Sequence, residues 1–285
     1  MRIVSLLPSA TEILFAIGAG PDVVGVTHEC DFPDAARALP QLTASSIAHD
    51  GTSADIDRHV RKGLHEGSGL YTLDAARLEA LAPDLIVTQE LCAVCAVNYE
   101  TVARAARRLA ADPRIVSLEP SSLEDVYATI ATLGDVTGYA DGAAATISSL
   151  REREAGLRAT SHTTRPRTLV LEWTDPPMSG GHWTPELVEL AGGEPLLGNP
   201  GANSTVISWE RIAAADPDVV IVAPCGFELT ATDRAIAELS DNPIWESLRA
   251  LREGRVYPVD GNAYLNRPGP RLLDTAEIFG ALLAG

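Results

Sequence analysis

Short apolar runs recur along the chain, and polar or sulfur-containing side chains follow each of them. The clearest runs are IVSLLPS (3–9), VVGVTHEC (23–30), LIVTQELCAVC (85–95), TLVLEW (168–173) and VVIVAPC (219–225). Apolar runs of this kind, rich in β-branched residues, are typical of buried strands. Parallel α/β sheets bind their ligands at the carboxyl ends of the strands, so the residues that end these runs are the first candidates for a binding site.

The same succession of elements occurs in both halves of the chain. LEALAPDLIV (78–87) and RIAAADPDVVIV (211–222) each combine a short helical pattern, a Pro-Asp turn and a β-branched strand. This alternation is typical of αβ units. We therefore predict an α/β fold of two Rossmann-like lobes with central parallel sheets. The N-terminal lobe is expected at 1–121 and the C-terminal lobe at 161–285.

Residues 122–160 form the predicted connector between the lobes. Their pattern is helical, with breaks predicted at Gly134 and Gly138. The stretch after Gly138 contains few helix breakers, which predicts a single long backbone helix in place of a flexible linker. A stiff connector disfavours a large hinge closure.

Two further helices are predicted to begin beside candidate strand ends. Ser9 and Glu12 have the spacing of a capping box. Thr184 followed by Pro185 predicts an N-cap with proline at the first helical position.

Composition and charge argue against several classes of protein. The 285 residues carry a net charge of −17 and a single lysine, Lys62, whereas nucleic-acid binding depends on clustered cations. No apolar stretch is long enough to span a bilayer. The chain opens on strand-like residues without a leader pattern, which predicts a cytoplasmic location as written, or an extracytoplasmic one if a leader has been removed. The four cysteines are too scattered for a disulfide scaffold and are expected to be reduced.

Several motifs together resemble a known family. They are RIVSLLPSATEILFAIGAGPDVVGVTHECDFP at the start, LEALAPDLIVTQ, LGDVTG before the long helix, and GRVYPVDGN near the end. In this order they resemble the class III substrate-binding proteins of ABC importers, and most of all the vitamin B12-binding branch of the helical-backbone metal receptor superfamily. The resemblance implies two α/β lobes, one bridging helix, and a shallow cleft for cobalamin, haem, siderophores or bare metal ions. The expected partners are a small-molecule ligand and an ABC permease, and the chain itself is expected to be a monomer.

Thiol and imidazole groups suggest a metal site in the first half. Cys92 and Cys95 have a C-x-x-C spacing directly after a strand, which suits a soft metal ion such as zinc, or thiol exchange. His28 and Cys30 follow a neighbouring strand and would complete a four-residue site. The alternative is that each cysteine is a small buried side chain that packs a turn.

The second half supplies aromatic and ionisable candidates. Trp173 and Trp183 offer apolar faces that suit a flat macrocycle, and His182 is a candidate axial ligand for cobalt or haem iron. The alternatives are core packing for each tryptophan and a structural hydrogen bond for His182. The expected ligand-binding residues are Ser9, His28, Gln89, Glu172, Trp173, His182, Trp183 and Cys225.

Two hypotheses for the function follow. The first is a binding protein for cobalamin or a related corrinoid or metal chelate, the solute-binding component of an ABC importer. The second is a cytoplasmic metal-handling protein, or a thiol- or metal-dependent enzyme, that uses the same scaffold. The sequence contains no P-loop, no G-x-G-x-x-G opening a first βα turn, no nucleophile elbow and no H-E-x-x-H motif, which favours binding over catalysis.

Overall fold

The chain divides into two compact units. The computed structural model describes residues 1–46, 51–65, 70–89, 99–107, 109, 112–160 and 164–285. The first unit comprises Met1–Asp50, Arg58–Pro120 and Asp125–Ser148, and the second comprises Gly51–Asp57, Ser121–Glu124 and Ser149–Gly285. The lobe boundaries expected from the sequence stay a prediction.

The elements up to residue 160 are built around a parallel sheet. The strands are β1 (Ile3–Ser5), β2 (Val23–Val26), β3 (Thr43–Ser45), β4 (Tyr71–Leu73), β5 (Leu85–Thr88) and β6 (Arg114–Ser117). The helices are α1 (Pro8–Ala16), α2 (Ser53–His65), α3 (Ala75–Leu81), α4 (Tyr99–Ala106), α5 (Leu123–Thr137) and α6 (Ala140–Ala159). The sheet has the order β2-β1-β5-β6 with every pair parallel, and β3 and β4 form a separate antiparallel pair.

The remaining elements surround a second sheet. The strands are β7 (Arg167–Thr174), β8 (Pro177–Ser179), β9 (Gly181–His182), β10 (Glu194–Leu196), β11 (Asn199–Pro200), β12 (Thr205–Val206), β13 (Val219–Val222) and β14 (Val256–Pro258). The helices are α7 (Thr184–Leu190), α8 (Trp209–Ala215), α9 (Leu229–Glu238), α10 (Pro243–Ser247), α11 (Arg249–Arg252) and α12 (Leu272–Ala284). The order is β12-β8-β7-β13-β14, with β10 also paired to β7, and a parallel β9–β11 pair lies apart.

The predicted α/β fold of two Rossmann-like lobes with central parallel sheets and one long backbone helix is confirmed. Each of the five apolar runs contains a strand, and α6 is the long helix expected after Gly138. The second sheet is not wholly parallel, because β8 turns back against β7 and β12 pairs antiparallel with β8. None of the helices that the structure describes is both long and apolar enough to cross a lipid bilayer.

Local predictions about helix ends need correction. Helix α1 begins at Pro8 with Leu7 as its N-cap, so Ser9 lies inside the first turn and forms no capping box. Helix α7 begins at Thr184, and Trp183 is its N-cap residue. Helix α5 runs unbroken through Gly134, and the predicted break there is wrong.

Each unit has its own apolar core at its sheet. In the first unit Val4 and Leu6 pack with Ile86 of β5 and with residues from the flanking helices. In the second unit the cluster centres on Trp245, which is buried and meets Trp209 edge-on at 5.9 Å between ring centroids. Burying one large apolar side chain contributes about 1.5–3 kcal/mol, so these clusters fix the strands whose ends carry the polar residues.

Two glycines of α6 form a matched pair for testing how this helix packs. A Cβ at Gly142 would lie 2.0 Å from the carbonyl oxygen of Ile17, whereas no atom lies within 4 Å of a Cβ at Gly156. We expect Gly142→Ala to lower the free energy of unfolding by about 1–3 kcal/mol through overpacking. Gly156→Ala should raise it by about 0.5–1 kcal/mol, because alanine is the better helix former. Urea unfolding followed by circular dichroism measures both, and stabilisation by both substitutions would contradict this packing.

Candidate functional site

An aromatic pair lies at the carboxyl ends of β7 and β13. Trp173 is the penultimate residue of β7, and Phe227 follows β13 after a short turn. The two rings meet edge-on with 5.1 Å between centroids. The indole Nε1–H of the half-buried Trp173 donates to the carbonyl of Asp175 at 3.1 Å. In the same turn the backbone N–H of the exposed Cys225 donates to the carbonyl of Glu172 at 3.2 Å, which fixes the two strand ends together.

The carboxylate of Glu172 connects two loops beside this pair. Its Oε1 accepts from the backbone N–H of Gly181 at 3.2 Å and from the hydroxyl of Thr184 at 2.6 Å. Its Oε2 accepts from the hydroxyl of Ser204. Desolvation by burial raises the pKa of Glu172, although all three hydrogen bonds favour the charged form and oppose that rise. Glu172 therefore organises the loop after β8 and the loop before β12.

The raised pKa of Glu172 gives a prediction for stability against pH. A carboxyl whose pKa is higher in the folded state contributes stability at low pH, and that contribution is lost as the pH rises through the raised pKa. We expect wild-type protein to lose stability relative to Glu172→Gln as the pH rises from about 4 through the raised pKa, because glutamine has no proton to release. Urea titrations of both proteins at several pH values measure this difference. A difference that stays constant with pH would rule out the raised pKa.

His182 sits in a strained but well-bonded backbone position. Its φ is +48°, in the left-handed region that few residues other than glycine adopt. Its N–H donates to the carbonyl of Ala202 at 2.7 Å, and its carbonyl accepts from Gly201 at 3.0 Å. Its imidazole Nε2 lies 3.0 Å from Oδ1 of Asn203. Desolvation lowers the pKa of His182 and Asn203 opposes that shift, so the neutral imidazole dominates at neutral pH.

Trp183 lies beneath His182 and belongs to the core. Its side chain is buried, and its Nε1–H donates to the carbonyl of Leu265 at 2.9 Å. The indole stacks on the imidazole of His182 with 5.3 Å between centroids. This placement favours the core-packing alternative, and direct contact of Trp183 with a ligand stays a prediction. The indole of Trp183 supports the imidazole ring of His182.

The candidates of the first unit gather at the carboxyl ends of its own strands. Ser9 is buried in the first turn of α1, directly after β1, and Gln89 is buried directly after β5. His28 follows β2, and its Nδ1 lies 2.7 Å from the hydroxyl of Thr43. Its ring is tilted against that of Tyr71 at 5.8 Å between centroids. The strand-end rule therefore places these residues as expected, but their role in binding stays a prediction.

The metal site expected at His28, Cys30, Cys92 and Cys95 stays a prediction. Cys92 and Cys95 lie outside the described residues. The sulfur of Cys30 is buried, 3.1 Å from the hydroxyl of Thr11 and 3.3 Å from that of Thr27. No three His, Cys, Asp or Glu side chains within the described ranges come together as metal ligands.

Three residues of the site are not among the binding residues predicted from the sequence. Asn203 and Ser204 belong to the glycine-containing loop after β11, and their partners His182 and Glu172 lie 21 and 32 residues away along the chain. No local pattern predicts contacts of that separation. Phe227 could have been predicted from the sequence, because it is an apolar residue just beyond the end of β13.

The sequence and the fold identify the family. A model of the family described as "Periplasmic binding protein" matches residues 3–263, and the chain belongs to that family. It is a solute-binding protein of the type that serves ABC importers, and the resemblance to class III substrate-binding proteins is confirmed.

Known proteins similar to this chain differ in what their names say they bind. A vitamin B12-binding protein of Vibrio cholerae is 24% identical over 280 residues, which covers 97% of this chain and 86% of that protein. The crystal structure of a periplasmic heme-binding protein of Vibrio cholerae superposes with a TM-score of 0.72 at 18% identity, covering 100% of this chain and 99% of the other. An ABC transporter substrate-binding protein from Listeria monocytogenes gives 0.72 at 17% identity, covering 99% and 97%. The likeness to these two solved structures shows the fold alone.

Proposed function

We propose that this protein binds a flat, metal-centred macrocycle of the corrinoid class and delivers it to an ABC permease. The observation that carries the proposal is the half-buried Trp173 at the end of β7, which the buried Phe227 contacts edge-on. The neighbouring Glu172 accepts from Gly181, the residue before His182. Aromatic side chains give a large apolar contact to a flat ring at a small cost in conformational entropy. The imidazole adds a group that metals accept.

The similar proteins support the choice of ligand class. A relative that matches nearly the whole chain is named for vitamin B12, and a protein of the same fold is named for heme. Both ligands are planar macrocycles with a metal at the centre. We choose the corrinoid because two relatives that match nearly the whole chain by sequence are named for vitamin B12 and for cobalamin.

The location proposed for the protein is extracytoplasmic. Solute-binding proteins of ABC importers collect their ligand on the side of the membrane from which it is imported, and the family is described as periplasmic. This supports the extracytoplasmic one of the two locations expected from the sequence.

Calorimetric titration of cyanocobalamin into the purified protein tests the proposal. We expect saturable binding of one corrinoid per chain, with a negative heat-capacity change from burial of apolar surface. Haemin is titrated in parallel. Binding of haemin without any binding of the corrinoid would correct the ligand class, and binding of neither macrocycle would refute the proposed function.

A further inference from the structure

The backbone around His182 is fixed by two hydrogen bonds and by the close packing of the preceding residue. A left-handed conformation costs free energy for a residue with a side chain and persists where the surroundings determine it. Here the backbone of His182 is bonded to Ala202 and Gly201. The preceding Gly181 is packed so closely that a Cβ on it would lie 2.4 Å from the backbone nitrogen of Ser204. Strain of this kind is concentrated at functional sites, so His182 is a candidate functional residue.

The hydrogen bond to Asn203 defines which ring nitrogen carries the proton. Oδ1 of Asn203 accepts only, so Nε2 of His182 must be the donor at 3.0 Å. A neutral imidazole has one proton, and Nδ1 therefore carries a lone pair. The described part of the chain gives Nδ1 no hydrogen-bond partner. Stacking on Trp183 holds the plane of the ring.

We propose that Nδ1 of His182 coordinates the metal at the centre of the bound macrocycle, and that Asn203 is the positioning residue that fixes its tautomer. This inference rests on the proposed function. Histidines that bind metals characteristically donate their other N–H to an oxygen of the protein, which is the arrangement of His182 and Asn203. For a cobalt corrinoid with water as an axial ligand, the step is a ligand exchange. The cobalt–oxygen bond breaks, a cobalt–nitrogen bond to Nδ1 forms, the water leaves, and no electron is transferred.

Two corrinoids that differ at one axial position separate coordination from simple packing. Aquacobalamin has an exchangeable water there, whereas cyanocobalamin has a firmly bound cyanide. We expect wild-type protein to shift the visible absorption bands of aquacobalamin towards those of an imidazole adduct. His182→Ala should abolish that shift and weaken aquacobalamin binding about 10-fold or more. Its affinity for cyanocobalamin should fall by a smaller factor, because that ligand cannot exchange its cyanide for histidine and loses only the contact with the imidazole ring.

Two substitutions at Asn203 test the positioning role. Asn203→Asp keeps an oxygen that accepts from Nε2, and Asn203→Leu has a similar size but no acceptor. The aspartate variant should retain the spectral shift. The leucine variant should lose at least about 10-fold in affinity for aquacobalamin, with a smaller loss for cyanocobalamin.

The binding and spectral results separate a failure of His182 coordination from a failure of corrinoid binding, on which the coordination rests. If the wild type binds both corrinoids without a spectral shift, or if His182→Ala shifts the bands as the wild type does, the coordination is wrong and the corrinoid-binding function stands. Equal behaviour of the two Asn203 variants would remove the positioning role. If neither corrinoid binds to the wild type, both proposals fail.

Discussion

Replacement of Trp173 by alanine is expected to weaken corrinoid binding by about 10- to 100-fold, because one stacked aromatic face contributes roughly 1–3 kcal/mol to the binding of a flat ring. Trp173 is half-buried, and its position at the end of β7 is fixed by the sheet. The substitution also removes the edge contact with Phe227. Isothermal titration with cyanocobalamin gives the change in affinity, and urea unfolding of the same samples gives the change in stability.

Trp209→Ala is the matched control. Trp209 lies in α8, is partly buried, and packs on Trp245 against the apolar cluster of the second unit. We expect this variant to lose about 3 kcal/mol of unfolding free energy to the cavity, with corrinoid affinity within a factor of about 2. Trp173→Ala should show the opposite pattern. If both variants lose stability and neither loses affinity, Trp173 is a core residue and no part of a binding site.

Among substitutions of the site residues, Glu172→Ala is expected to lower the free energy of unfolding the most. The carboxylate accepts from Gly181, Thr184 and Ser204, and alanine leaves those donors without their acceptor. Leaving a buried donor unpaired costs about 1–3 kcal/mol, so we expect a loss of at least about 2 kcal/mol in unfolding free energy. The loop that carries His182 loses its anchor as well, and corrinoid affinity should fall with stability.

Glu172→Gln separates the two roles of the carboxyl group. Glutamine keeps an acceptor oxygen for Gly181 and Thr184, and the hydroxyl of Ser204 can rotate to accept from the new amide. This variant should therefore remain folded and bind the corrinoid, while it loses the pH dependence described above. Thermal unfolding of wild type and both variants, with and without cyanocobalamin, measures stability and ligand stabilisation together. Equal destabilisation by alanine and glutamine would show that charge, and not the hydrogen bonds, holds the loops.

The strands and the long helix were predictable because their signals are local. The β-branched runs at β1, β5 and β13 are bounded by turns, and the pattern of α6 is free of strong breakers. The capping box predicted at Ser9 and Glu12 places the start of α1 too late in the chain. Proline suits the first helical position because its φ is already helical and it has no N–H to satisfy, so the helix begins at Pro8.

Packing explains the other errors. The break predicted at Gly134 is wrong because this glycine serves helix packing. A Cβ there would lie 2.4 Å from the Cβ of Ala143, so the glycine allows α5 and α6 to approach closely. The antiparallel strands β8 and β12 are too short for a periodic pattern to show.

The candidate site was only partly predictable for the same reason. Residues at strand ends follow from the topology rule, which found Trp173 and Glu172. The contacts that determine their chemistry, from Asn203 to His182 and from Ser204 to Glu172, join loops that are distant in sequence. A pattern of residue types also does not distinguish the half-buried Trp173 from the buried Trp183.

The crystal structure of the protein with a bound corrinoid tests the central claim most directly. We expect the face or edge of the macrocycle to lie within about 4 Å of the indole of Trp173, at the carboxyl ends of β7 and β13. A corrinoid bound elsewhere on the chain, with Trp173 still packed on Phe227 and untouched by the ligand, would contradict it.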